Sequence, residues 1–258
     1  MSVAAEPIPT RSWAGAAWRQ FRLERKLFWR NPGSAFFNFA LPLVILALFG
    51  AVFAGNPADL RILIPGIAGM SIMSTTFQAF AHNVTSLRET GILKRMRGTP
   101  LPSSAYLAGL AGNAIANTAL QVAIVVLAGR LVFGVGWPED VVSMLVFVVL
   151  GGVTFAALGV ALAHAIPNSD SAPAYINAIF LPVIVISGVF YDAADAPQVL
   201  RDIAQALPLK HLIDGLSGAM VDGRGVTDHW TAVVFLLIWG GAGALLAVRG
   251  FSWDRRRR

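Results

Sequence analysis

Six apolar stretches fix the class of fold before any other feature is read. They run at about Ser34–Phe53, Ile62–Thr85, Ala105–Leu127, Val141–Ala163, Ala174–Phe190 and Thr231–Val248. Each is close to the roughly 20 residues that an α-helix needs to cross the hydrocarbon of a bilayer. Only 13 % of the 258 residues are charged and 56 % are hydrophobic, whereas soluble domains carry roughly 25 % charge. The chain is therefore expected to be an all-α membrane protein with six spans. Pro42, Pro65 and Pro182 lie inside spans, where each removes a backbone hydrogen bond and kinks the helix.

Orientation follows from the distribution of Lys and Arg. Six precede the first span, four lie between Ser86 and Ser104, and five follow from Arg249 onward, which places fifteen on one side. The other side holds five, namely Arg61, Arg130, Arg201, Lys210 and Arg224, together with most of the acids. By the positive-inside rule both termini are expected to be cytoplasmic. The apolar run after the basic N-terminal segment is too long for a signal-peptide core and reads as a retained span. The expected organisation is a cytoplasmic tail and interfacial helix over 1–33, a six-span domain over 34–248 and a basic cytoplasmic tail over 249–258. The absence of cysteine excludes disulfides, thiol chemistry and cysteine-ligated metal.

Between Ser12 and Arg30 a helical projection puts Arg19, Arg22, Lys26 and Arg30 on one face, with Ala14, Trp18, Phe21 and Phe28 roughly opposite. This pattern predicts a helix in the membrane interface, aromatics in the headgroup layer and cations toward lipid phosphates. A helix packed on a soluble partner would show the same pattern. Asn31-Pro32-Gly33 breaks it.

Leu87–Pro102 is a polar island between spans two and three. Arg88, Lys94, Arg95 and Arg97 stand against Glu89 alone, while Ile92, Leu93 and Met96 share one side of a helix. Gly98 and the prolines at 100 and 102 end that helix sharply. It has the form of a docking surface for a cytoplasmic partner, and a plain positive-inside loop would carry the same charge.

Residues 192–229 hold two short apolar faces. Asp195 caps the first predicted helix, whose face is Val199, Leu200, Ile203, Ala204 and Leu207; Pro208 then interrupts, and Leu212, Ile213, Leu216 and Met220 form the second. Neither piece is long enough to span. A re-entrant hairpin in the outer leaflet accounts for both faces, as would two helices lying flat on the bilayer.

No carboxylate lies inside a span, so the commonest hardware of ion-coupled transport is missing. Carbonyl and hydroxyl sodium sites keep a secondary transporter open as an alternative. Polarity collects at Gln78, His82 and Asn83 in span two and at Asn113, Asn117 and Gln121, spaced i, i+4, i+8, in span three. These groups either bind helices together or line a pathway. Ala108, Gly112 and Ala116 form a small-residue stripe suited to close packing. Leu216-Ser217-Gly218 matches the start of an ATPase signature, but no GxxxxGK(S/T) loop exists in the chain. Gly215-Leu216-Ser217-Gly218 also fits the GxSG motif of rhomboid-type proteases; its remote enzyme reading needs His229 as base. No HExxH or acid–His cluster suggests a catalytic metal.

The pieces together resemble the type-2 class of ABC exporter permeases, the membrane subunits of bacterial drug, antibiotic and lipid or polysaccharide export systems. The resemblance rests on RNPGSAFFNFALPLVI, ETGILKRMRGTPLPSSAYLAG and SGVFYDAADAPQVLRDIAQALPLKHLIDGL. It implies a cytoplasmic coupling helix at Glu89–Arg97 (Glu89, Ile92, Leu93, Lys94, Arg95, Met96, Arg97) that docks on a separate ATPase dimer. It further implies that the basic helix before Asn31 (Trp18, Arg19, Phe21, Arg22, Lys26, Phe28) is a connecting helix. The hairpin around Leu207, Pro208, Leu212 and Ile213 would be re-entrant. A second permease chain and membrane lipids are the other implied partners, with no nucleic acid. ATP and Mg would be bound by the ATPase subunit and no cofactor by this chain, in a bacterial plasma membrane.

Overall fold

A computed structural model describes residues 12–53, 57–92, 102–191 and 196–250. Leu93, Lys94, Arg95, Met96 and Arg97 of the expected coupling helix lie outside the described residues, as does Asp195. Every regular element among the described residues is helical. In chain order these are α1 (Trp13–Arg30), α2 (Pro32–Phe53), α3 (Pro57–Met73), a π-helical turn (Ser74–Gln78), α4 (Ala79–Glu89), α5 (Ser103–Phe133) and α6 (Val141–Ala163). There follow α7 (Ala172–Ile186), α8 (Gln198–Ala206), α9 (Pro208–Ser217), a second π turn (Gly218–Asp222) and α10 (Trp230–Gly250).

Among the described residues, five helical runs are long and apolar enough to cross a membrane: α2, the continuous α3–π–α4 unit, α5, α6 and α10. The expected fifth span is shorter than its apolar run. Its helix, α7, covers 15 residues, about 22 Å, and ends where Gly188 takes a positive φ of 76°. The chain then folds back, and the Val189 carbonyl seats against Gly66 of α3, where any β-carbon would collide. Phe190, expected inside the span, stacks on Phe49 of α2 with ring centroids 4.6 Å apart. Left-handed glycine geometry is a common helix stop, and here the close approach to Gly66 gives it a tertiary partner.

The α3–π–α4 unit runs through the centre of the bundle, packed against α2, α5, α6, α7 and α9. Its π turn touches α6 at Gly159, where a β-carbon would lie 2.5 Å from the Phe77 carbonyl oxygen. α6 and α10 form the tightest pair. Thr154 donates its hydroxyl to the Leu236 carbonyl at 3.0 Å, and Gly240 and Gly243 let the α10 backbone approach Thr154 and Leu158. Close packing through small residues is the usual means of helix association in lipid. In α5 the close contact falls on Gly109, against the Ala17 carbonyl and Gln20 of α1, while Gly112 of the expected stripe makes ordinary contact with Phe21.

The hairpin corrects one expectation. α9 packs into the bundle against α3, α6 and α10, so the buried Leu209, Leu212, Ile213 and Leu216 have protein partners. Leu212 meets Gly151 of α6, Ile213 meets Gly69 of α3, and Phe147 fills the space over Gly215. The sequence argument that this face had only lipid to bury it is therefore wrong for α9. For α8 the face is mixed: Ala204 is buried, while Val199 and Ile203 are exposed. Pro197 occupies the N-cap position of α8, and Pro208 opens α9 at N1, where its missing N–H costs nothing.

Candidate functional site

α1 carries the second correction. Its amphipathic pattern is present, but the face turned to the bundle is Ala16 and Gln20, buried against α5, and Trp18 is 60 % exposed. Trp18 stacks on Phe21 at 5.1 Å. Arg19, Arg22 and Lys26 are exposed, and Phe28 is half-buried. What sequence projection could not supply was the partner: the start of α5 offers amides and hydroxyls, so polar residues of α1 turn inward to meet them. Gln20 and Glu24, one turn apart on one face, share a hydrogen bond of 2.7 Å from Gln20 Nε2 to Glu24 Oε1. Arg25 donates to Asn117 Oδ1 at 2.9 Å and lies 5.9 Å from the Trp29 ring centroid. Trp13 donates its indole N–H to the Ser104 hydroxyl at 3.0 Å.

A cavity of about 270 Å³ opens where α1, the start of α2, the π turn with α4, and α5 converge. Its polar lining is Glu24, Asn31, Asn38, Thr75, Asn83, Asn113 and Asn117, and its apolar lining includes Leu27, Phe28, Phe80 and Leu110. Burial pushes the Glu24 carboxyl above its usual range, and the Gln20 hydrogen bond partly opposes that shift. Thr75, turned by the π geometry toward α5, donates to Gln121 Oε1 at 2.6 Å. Gln121 in turn donates to the Asn38 carbonyl at 2.7 Å, so three helices are tied together at this level. Asn38 Nδ2 and Asn113 Oδ1 are buried without a hydrogen-bond partner among the described residues. Such groups are rare in native interiors because each costs about 1–3 kcal/mol.

The two polar clusters expected from sequence thus divide. Asn83, Asn113 and Asn117 come together at the cavity, and Gln121 joins α5 to α2 and the π turn. Gln78 is half-buried and His82 exposed, and neither lines the cavity. Glu24, Asn38 and Thr75 were missed. The available signal was the Gln20–Glu24 pair, i and i+4 on a helix whose cations had been read toward lipid or a soluble partner.

A second constellation joins the end of α4 to the turn between α6 and α7. Arg88 Nη1 donates to the Ala163 carbonyl at 3.0 Å, and Nη2 donates to the Ile166 carbonyl. Helix C-termini leave carbonyls unsatisfied and favour cations, so Arg88 completes the end of α6. Glu89 accepts from the Ser169 backbone N–H at 2.7 Å and from the Ser169 hydroxyl. Two adjacent residues of opposite charge therefore clamp one short turn. Ile92, the last described residue before the gap, is 41 % exposed.

The protease motif has no matching geometry. The His229 ring packs against Gly218, but among the described residues no hydrogen bond links Ser217 to His229, and His229 Nδ1 is buried without a partner. Among the described residues no group of three His, Cys, Asp or Glu could hold a metal.

The ABC-2 type transporter family model matches residues 16–221. The linearmycin resistance permease protein LnrN of Bacillus subtilis is 25 % identical over 163 residues, 62 % of this chain and 42 % of that protein. The chain thus spans less than half the length of that relative. Nodulation protein J of Neorhizobium galegae is 26 % identical over 238 residues, 88 % of each chain. Nodulation protein J of Sinorhizobium fredii is 22 % identical over 246 residues, 91 % of this chain and 92 % of its own.

Proposed function

Because the chain belongs to the ABC-2 type transporter family, a family of membrane transport components, we propose that it is the permease subunit of an ATP-driven exporter. The observation that carries this reading is the family match over residues 16–221, which runs through the first loop and the hairpin alike. ATP hydrolysis belongs to a separate ATPase dimer, and two permease chains complete the transporter. The membrane is a bacterial plasma membrane, and the excess of Lys and Arg puts both termini in the cytoplasm. The cargo is drug-like, antibiotic or lipidic; the resistance permease among the relatives supports an export direction.

The ATPase contact is assigned to the stretch Glu89–Arg97, with Ile92, Leu93 and Met96 as its apolar anchors. The single helix expected there from sequence is corrected at its start, because α4 ends at Glu89 and Gly91 takes a positive φ of 72°. The Arg88–Glu89 clamp supports this assignment, because a push on the first loop would reach α6 and α7 through the Ser169 turn as well as α4 directly. A bound ATPase state can shift the permease only through contacts that differ between its conformations, and the proposal places one of them at this clamp. The hairpin is re-entrant. Leu212 meets Gly151, ten residues along α6 from Val141 and so about 15 Å from its end.

Co-purification with the ATPase and ATP-dependent transport test the reading. Leu93→Asp and Met96→Asp each place an unpaired charge in a desolvated groove and should abolish both. Arg97→Ala should be milder, because an exposed pair contributes on the order of 0–1 kcal/mol. Normal ATPase association and full transport in both Asp variants would reduce the loop to a linker and overturn the coupling assignment.

A further inference from the structure

The cavity beside α1 has two buried, unpartnered polar atoms among its lining residues, Asn38 Nδ2 and Asn113 Oδ1; among the described residues the others belong to Thr118, Ser187 and His229. One of its linings is charged, and the charge is negative: Glu24, half-buried, with Gln20 as its hydrogen-bond partner and no ion pair among the described residues. Among the described residues no Lys or Arg lines the space, and Arg25 beside it is engaged with Asn117 and Trp29. Asn113 is 9 % exposed and its Oδ1 is orphaned. Leu27, Phe28, Phe80 and Leu110 supply apolar and aromatic walls.

From this arrangement we propose that the cavity binds the protonated amine of a small amphipathic cation, with the Glu24 carboxylate as counter-ion and the Asn113 side chain, which lines the space, as a second polar partner. The volume of about 270 Å³ is several times the roughly 30 Å³ a water molecule occupies in the liquid, so a ring-sized group fits beside the ammonium. The chemistry selects the class. An anion would be repelled by Glu24, and a neutral ligand would leave a desolvated carboxylate uncompensated. An ammonium pairs with it, and the rest of the ligand packs on the apolar walls. The inference rests on the exporter reading only in making this ligand a cargo; binding itself requires no ATPase.

The test uses the full chain in lipid nanodiscs, without an ATPase, and calorimetric titration of 2-phenylethylammonium against its neutral isostere 2-phenylethanol. The amine should bind saturably, at least about tenfold tighter than the alcohol, as expected for a charge-assisted hydrogen bond. Glu24→Gln should remove that preference by weakening the amine while leaving the alcohol within about twofold. Asn113→Leu should weaken the amine by a smaller factor, and it carries the test if Glu24→Gln fails to fold. Absence of saturable amine binding would make the cavity a water pocket and overturn the proposal. So would equal affinity for the two probes, or a preference that survives both substitutions. A failed ATPase co-purification sinks the exporter reading and leaves amine binding standing, whereas failed amine binding leaves export standing.

Discussion

The two ends of the bundle solve the same burial problem in opposite ways. At the hairpin end, α9 inserts Leu209, Leu212, Ile213 and Leu216 among α3, α6 and α10, with glycines at 69, 151 and 215 opposite large side chains. At the α1 end, Gln20 and Glu24 of α1 and Asn113, Asn117 and Gln121 of α5 gather near the π turn, and a cavity remains with orphaned amide atoms. One end is largely apolar and interlocked, with His229 Nδ1 as an orphan beside Gly218; the other is polar and incompletely filled. Interlocked cores change state only as a unit, whereas an under-filled polar region has room to rearrange. The difference assigns the fixed element to the hairpin end and the responsive one to the α1 end.

The largest expected effect breaks the apolar end. Leu212→Ala should destabilise the protein by about 2–5 kcal/mol, the range for a buried leucine truncated where neighbours cannot collapse. Equilibrium unfolding in mixed micelles measures it, and a loss below about 1 kcal/mol would show that the hairpin is not part of the core.

Next comes the clamp at the other end. Arg88→Ala leaves the Ala163 and Ile166 carbonyls without this donor, and Ser169→Ala removes one donor to Glu89. ATP-dependent transport should fall about tenfold in Arg88→Ala, equivalent to roughly 1.4 kcal/mol, with ATPase association retained. Unchanged transport would detach the clamp from coupling.

Asn113→Leu sharpens the comparison by its small size. It removes an orphaned acceptor and fills space, so stability should stay within about 1 kcal/mol of wild type or rise. A loss as large as that of Leu212→Ala would mean the cavity end is as tightly specified as the hairpin end.

The smallest effect is at the hairpin-side start of α6. The Ser143 hydroxyl and backbone N–H hold the Asp140 carboxyl below its ordinary range. A depressed folded-state pKa adds stability above the unfolded-state value, and that increment is lost as pH falls through the folded-state value. Melting of wild type and Asp140→Asn should therefore differ slightly at neutral pH and converge in acid. A gap that widens on acidification would contradict the sign.

Spans were legible in the sequence because hydropathy over some twenty residues needs no knowledge of partners. The end of α7 was not, because it depends on Val189 meeting Gly66 more than a hundred residues away. For α9 the apolar stripe was correct and its partner was misread: a stripe specifies that a face is buried, and says nothing about whether lipid or protein buries it. The inward turn of α1 was hidden for the same reason. Asn113, Asn117 and Gln121 were visible through their spacing, but Asn38 and Thr75 join them only through tertiary placement. Glu24 was not singled out, because a lone acid on a basic helix carries no signal until α5 is beside it.

The π turn at Ser74–Gln78 has a consequence for how this helix tolerates change in length. Such a turn holds one residue more than a regular helix would. Deleting that residue would let the backbone close into ordinary α geometry while the segments on either side keep their relative phase, because the extra residue is absorbed within the turn. Asn83, Arg88 and Glu89 would keep their present faces, and the cost would fall on the turn itself, where Thr75 reaches Gln121 and the Phe77 carbonyl meets Gly159. The expected tolerance is therefore uneven: loss of one residue within Ser74–Gln78 is accommodated, whereas loss of one from the regular turns of α4 rotates everything beyond it by about 100°.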